Sequence, residues 1–404
     1  MNSSPAPFKN PFRPGAGHMP PYLAGREAEE SEFRRLLKQE TIMENLVLTG
    51  LRGVGKTVLL EKFKPIAIQE KWLWVGTDLS ETVSVSEANL AIRILTDLSV
   101  VTSALTLKLG QTTGVGFGAT SHAILQPVDY NFLNRKFEDT PGIVLDKLKS
   151  VLEFVWTLIQ QTDRRGIIFA YDEAQNLIDN ASREQYPLSV LLDLFQSIQR
   201  KGIPFMLALV GLPTLFPKLV EARTYSERMF RVVSLGQLNM VDRREAITKP
   251  VEDADCPIKF SEASVAVIAR ISGGYPYFIQ FICREVFDVW IQRLDSGEET
   301  AIPQDAITRK LDSDFFAGRW ARSTDRQREM LYVISMLENC DGEFSVQEIV
   351  ETSIRVLDKG FSNSHTNQML ATLTNGGLVY KNRHGKYSFA VPLMSEFVRR
   401  QYKD

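Results

Sequence analysis

Short apolar runs alternate with amphipathic stretches between residues 27 and 235, and the alternation predicts strands interleaved with helices. Glu27–Gln39 sets Phe33, Leu36 and Leu37 on one helical face, Glu44–Thr49 is a short apolar strand, and Thr57–Gln69 returns to helical spacing. Lys71–Thr77 is a second strand, and Ser86–Leu105 a long helix that opens on a capping serine. Beyond residue 141 the order is helix Ile143–Gln160, buried strand Gly166–Tyr171, helix Leu188–Arg200, strand Pro204–Val210, helix Leu215–Ala222 and strand Arg231–Leu235. Strands separated by helices imply a mostly parallel sheet covered on both faces.

From Val241 the pattern is helical only, with Arg243–Val251, Ser261–Ile271, Phe278–Arg293 and Pro303–Phe315. Three further helices, Thr324–Leu337, Ser345–Val356 and Asn363–Leu373, precede Gly376-Gly377, two short strands (Leu378–Lys381 and Tyr387–Ala390) and a terminal helix. Three helices followed by a hairpin outline a winged helix-turn-helix. The periodicity breaks at the proline-rich residues 1–21 and again over 107–141, where Gly110, Gly114, Gly116 and Gly118 lead into a polar stretch. The second break reads as an insertion, either a loop or a hairpin that contacts a partner or DNA. Gly114-x-Gly116-x-Gly118 carries no dinucleotide signal, because no helix opens after it.

A chain of 404 residues suggests two or three domains, and 44% apolar residues suffice to fill their cores. The formal charge of −2 excludes a protein that coats nucleic acid non-specifically, while leaving room for a local basic patch. Cys256, Cys283 and Cys340 have no zinc or disulfide spacing, and His18 and His122 no metal-ligand spacing. With no apolar h-region and no apolar run of about 20 residues, the expectation is a cytoplasmic protein that does not enter a membrane.

Gly50-Leu51-Arg52-Gly53-Val54-Gly55-Lys56-Thr57 fits G-x-x-x-x-G-K-[ST], with a strand before it and a helix, beginning with Val58, after it. In such a loop successive N–H groups turn inward on phosphates, Lys56 meets the β- and γ-phosphates, and Thr57 offers its hydroxyl to Mg2+. Asp172-Glu173 closes the apolar strand Ile167–Tyr171, at the strand end where ligands sit in open α/β sheets. Asp172 is the candidate for the Mg2+ shell and Glu173 for polarising the attacking water. The long separation of the two motifs predicts an additional strand between the strands that bear them. The cofactors expected are therefore ATP and Mg2+.

Together with Tyr22-Leu23-Ala24-Gly25-Arg26-Glu27, Ser226-Glu227-Arg228-Met229-Phe230 and Gly273-Gly274-Tyr275-Pro276-Tyr277, these motifs resemble the AAA+/STAND border of P-loop ATPases. The chain is most similar there to replication-initiator-type prokaryotic AAA+ ATPases that end in a winged helix. The resemblance implies an α/β P-loop NTPase core at 22–240, a helical lid at 241–318 and a winged helix at 319–404. It brings Leu23, Gly25 and Arg26 towards the adenine and Pro276 to the nucleotide. It makes Arg228, or else Arg231, an arginine finger on the γ-phosphate of its own or a neighbouring subunit. Two departures predict slow or partner-stimulated hydrolysis: Val210-Gly211-Leu212 lacks the polar sensor of such ATPases unless Thr214 reaches back, and the lid turn offers tyrosine where many carry arginine.

In the last domain Ser364, His365 and Asn367 open the third helix, where a recognition helix reads base edges, while Lys381, Arg383, His384 and Lys386 decorate the wing with no acid among them. The leading expectation is an AAA+ switch that couples ATP to double-stranded DNA binding and to self-association. Two alternatives stand beside it: a STAND-type regulator whose winged helix binds protein, and an ATPase partner of a separate effector, in transposition or defence.

Overall fold

The computed structural model describes residues 9–15, 17–113, 120–296, 301–383 and 385–402. Gly114, Gly116, Gly118 and His384 lie outside them. The chain divides into two compact units, one drawn from Glu27–Thr49 and Leu59–Ser234, the other from Met1–Arg26, Gly50–Val58 and Leu235–Asp404.

Among the described residues up to 235, seven strands occur in chain order: β1 (Asn45–Gly50), β2 (Trp72–Val75), β3 (Thr106–Thr113), β4 (Thr120–Pro127), β5 (Gly166–Tyr171), β6 (Phe205–Gly211) and β7 (Phe230–Leu235). Five of them form one sheet in the order β2-β5-β6-β1-β7. The pairings of β2 with β5, β5 with β6 and β6 with β1 are parallel. Every residue of β1, β5 and β6 is buried, the condition of a parallel strand covered on both faces, which explains the mostly apolar sequences of β5 and β6 and the apolar centre of β1. The additional strand is β6. It lies between β1, which runs into the P-loop, and β5, which ends at Asp172.

Helices Glu87–Thr102, Val144–Ile159 and Pro187–Gln199 pack on this sheet, and their buried leucines, isoleucines and valines form one core with β5 and β6. Phe169 sits at its centre, 5.0 Å from Phe195 and 5.8 Å from Phe205. The 107–141 region contains an antiparallel hairpin, β3 against β4, paired from Thr106↔Pro127 to Thr113↔Thr120, followed by helix Tyr130–Asp139.

In the other unit, helices Met240–Asp253, Glu262–Ile271, Pro276–Ser296 and Gln304–Leu311 precede helices Asp325–Ser335, Val346–Val356 and Asn363–Asn375. Three strands, β8 (Phe344–Ser345), β9 (Val379–Arg383) and β10 (Lys386–Phe389), make a small antiparallel sheet in the order β8-β10-β9, and helix Met394–Gln401 closes the chain. The helix starts follow polar side chains that accept from the first turn: Asn239, Ser261, Thr324, Ser345 and Ser362 each cap one. One hydrophobic core runs through the whole unit. Phe316 lies 6.3 Å from Phe278 and stacks on Phe397 at 4.9 Å, so no gap in packing marks residue 318. The proline-rich start joins the same core: Phe12 is buried, Asn10 donates to Arg284 O, and Arg13 N donates to Gln280 Oε1.

Candidate nucleotide-binding site

The P-loop's shape follows from its glycines. Gly53 and Gly55 have φ of +80° and +90°, a region closed to most side chains, and this aims consecutive N–H groups towards one point. A Cβ on Gly55 would meet nothing within 4 Å, leaving an open concavity. Helix Lys56–Gln69 begins there, so its N-terminal end adds positive potential. Lys56 arches back over the loop, and its Nζ donates to Gly50 O and Leu51 O at 2.9 Å each. These features suit a polyphosphate: backbone donors, a dipole end and an ammonium group face the same space.

Three contacts brace the loop from its own unit. The buried Arg26 guanidinium donates to Val54 O at 2.9 Å and to Gly236 O at 3.2 Å. Tyr277 N, one residue after Pro276, donates to Gly53 O at 3.1 Å. The Arg52 Nη1 lies 3.5 Å from where a Cβ on Gly377 would stand. Arg26, which the sequence resemblance brings towards the adenine, is engaged by carbonyls of the P-loop and of Gly236. Leu23 is half-buried beside buried Ala24. Thr57 lies on the first turn of the P-loop helix, 3.2 Å from the Cβ position of Gly17, and Val58 follows it there.

In the other unit, Asp172 ends β5 with its side chain buried. Its N–H donates to Thr77 O and its carbonyl accepts from Leu79 N, which continues the line of β2 past the strand's end. Its Oδ1 accepts from Glu173 N at 2.7 Å. Glu173 has φ +50° and ψ +32°, the left-handed region, and this turns its exposed carboxylate out of the strand direction. A non-glycine residue held so is strained, and such strain gathers where function fixes a side chain.

That carboxylate accepts from Gln175 Nε2, while Gln175 Oε1 accepts from Leu212 N at 3.1 Å, just beyond β6. Sequence reasoning passed over Gln175; the available signal was a polar amide two places after the acidic pair. Thr214 makes no capping bond at helix Leu215–Ala222. Arg228 is exposed on the short helix Ser226–Met229, whereas Arg231 pairs with Glu32 at 2.6 Å.

In the C-terminal part, Ser364 and Asn367 are exposed on helix Asn363–Asn375, and His365 is half-buried with its ring against Phe361. Asn367 Nδ2 donates to Asn363 O. Lys381 is exposed, whereas two other basic residues of this small sheet meet acids from elsewhere in the chain. Arg383 pairs with Glu343 at 2.8 Å and Lys386 with Glu348 at 3.4 Å, because β8 and the helix after it bring those acids alongside β10.

Residues 313–398 match a family model described as a domain of unknown function. No curated protein matches the chain. Among solved structures, the ADP form of the ORC2 protein of Aeropyrum pernix is similar at a TM-score of 0.54 and 13% identity, covering 97% of this chain and 98% of that one. The ORC1 protein of the same organism in complex with DNA (TM-score 0.46, 15% identity, 94% and 93% covered) and Thermotoga maritima RuvB (0.44, 14%, 93% and 95%) are more distant. The sheet order and the ORC2 likeness agree on the fold: this chain has the AAA+ P-loop architecture.

Proposed function

We propose that the protein is an ATP-driven switch, binding Mg·ATP through Gly50–Thr57 and hydrolysing it slowly. The observation that carries this reading is the P-loop itself, with left-handed Gly53 and Gly55 and the Lys56 ammonium held over the loop by Gly50 and Leu51. In this reading Thr57 and Asp172 hold the Mg2+, which neutralises phosphate charge when bound. Glu173 orients and deprotonates the attacking water, and the exposed Arg228 serves as the finger on the γ-phosphate.

The coupling runs through Tyr277. Its N–H ties Gly53 to helix Pro276–Ser296, and that helix shares a core with the C-terminal helices. A shift of the P-loop on binding or losing the γ-phosphate is therefore passed to a lid and a C-terminal winged helix that move together, since packed cores do not deform continuously. A neutral helix face with Ser364 and Asn367, beside exposed Lys381, supports double-stranded DNA as the partner. The Arg383–Glu343 and Lys386–Glu348 pairs favour a second reading, in which the same face binds protein, either another copy or an effector.

ATP titration and turnover test the site: Lys56→Ala should bind ATP at least tenfold more weakly, and wild-type affinity in that variant would refute the assignment. Binding of a DNA duplex at several salt concentrations, in the ADP and ATP-analogue states, separates the partners. A DNA reader shows a salt slope that depends on nucleotide.

A further inference from the structure

Strand β6 ends between the strand of the P-loop and the strand of Asp172, yet its last residues, Gly211 and Leu212, have no polar side chain. The Gln175 amide occupies that position from another element. Its oxygen accepts from Leu212 N at 3.1 Å, its nitrogen donates to the Glu173 carboxylate, and its main-chain carbonyl accepts from Lys218 Nζ at 3.1 Å. Both ends of the amide are thus used, which fixes its orientation. Gly211 makes the room: a Cβ there would stand 2.5 Å from Gln175 Oε1, closer than real atoms approach. Glycine at the end of a buried central strand costs stability, so the space it leaves calls for a reason. The turn Ala174–Asn176 that carries Gln175 follows directly from the left-handed backbone of Glu173.

We infer that Gln175 is a positioning residue for Glu173, an amide bridge that ties the carboxylate to the end of β6 and holds it aimed for water activation. The inference rests on the reading of Glu173 as the base. A carboxylate on the surface samples several rotamers, and a donor fixed at its other end restricts them. Gln175 touches neither nucleotide nor water in this role, so its loss lowers turnover and leaves ATP affinity alone.

The test uses the full chain and four variants. Glu173→Gln should bind ATP as wild type does and turn over at least a hundredfold more slowly; normal turnover there would overturn the reading of the base itself. Given that result, Gln175→Ala should lower kcat about tenfold with the ATP Kd unchanged. Gln175→Glu, which keeps the shape but replaces the donor by a second carboxylate, should lower kcat at least as much, again with the ATP Kd unchanged. Gly211→Ala, on a different element, should reproduce Gln175→Ala by displacing the amide, and the two together should cost no more than either alone. Wild-type or raised kcat in Gln175→Ala, or additive losses in the double variant, would overturn the inference while leaving Glu173 as the base.

Discussion

Arg26 has a structural task that its sequence context does not announce. Its buried guanidinium donates to the carbonyls of Val54 and Gly236. A planar, always-charged donor bonded to two main-chain oxygens in a buried place braces the loop's outward bulge before any nucleotide arrives. Arg26→Ala should therefore cost about 2 kcal/mol of stability in denaturant unfolding, since hydrogen bonds from charged donors are lost and acceptors left bare. ATP should bind about tenfold more weakly by titration, because the loop must then be ordered on binding. Wild-type affinity would show that Val54 and its neighbours hold their conformation without the guanidinium. Gln175 teaches the converse lesson: a residue with no motif status acquires one only when folding sets it against Leu212 and Glu173.

At the scale of elements, helix Val346–Val356 joins a capping box to the small sheet. Ser345 and Glu348 satisfy each other's backbone donors, and Glu348 also meets Lys386 on β10. Hydrogen bonds from the Ser345 hydroxyl, opposed by partial burial and helped by Ser345 N–H and Lys386, hold the Glu348 carboxyl below its ordinary range. A folded-state pKa below the unfolded value of about 4.3 means that the contribution is complete above that pH and is lost as the pH falls through the lower, folded value. Melting followed from pH 6 down to about 3 should accordingly show a steeper loss in the wild type than in Glu348→Gln, and equal slopes would count against the linkage. Ser345→Ala should cost about 1 kcal/mol at neutral pH. The helix and its serine were legible from the sequence. The pairing with Lys386 was not, because β8 is two residues long and carries no strand signal of its own.

Over the whole molecule, the P-loop clusters with the C-terminal half of the chain although its strand belongs to the α/β sheet. Tyr277 on Gly53, and Phe316 between Phe278 and Phe397, join helix Pro276–Ser296 and the C-terminal helices in one packed core. Phe316→Ala should cost about 3 to 5 kcal/mol, and hydrogen exchange should lose protection in helices Pro276–Ser296 and Met394–Gln401 together. Loss on one side only would mean that the two cores separate. The sequence by itself determined the β/α alternation, the P-loop and the acidic pair, because their signals are local: apolar runs, obligatory glycines, and a lysine and carboxylates at fixed offsets. It also implied the strand now seen as β6, since the spacing of the motifs left room for one. Only the tertiary structure decided that Arg26 donates to the P-loop, that Glu343 and Glu348 pair with Arg383 and Lys386, and that Gln175 bridges Glu173 to the end of β6. Those are contacts between residues far apart in the chain or set by an unusual backbone turn, and no periodicity or local composition encodes which side chains such packing brings together.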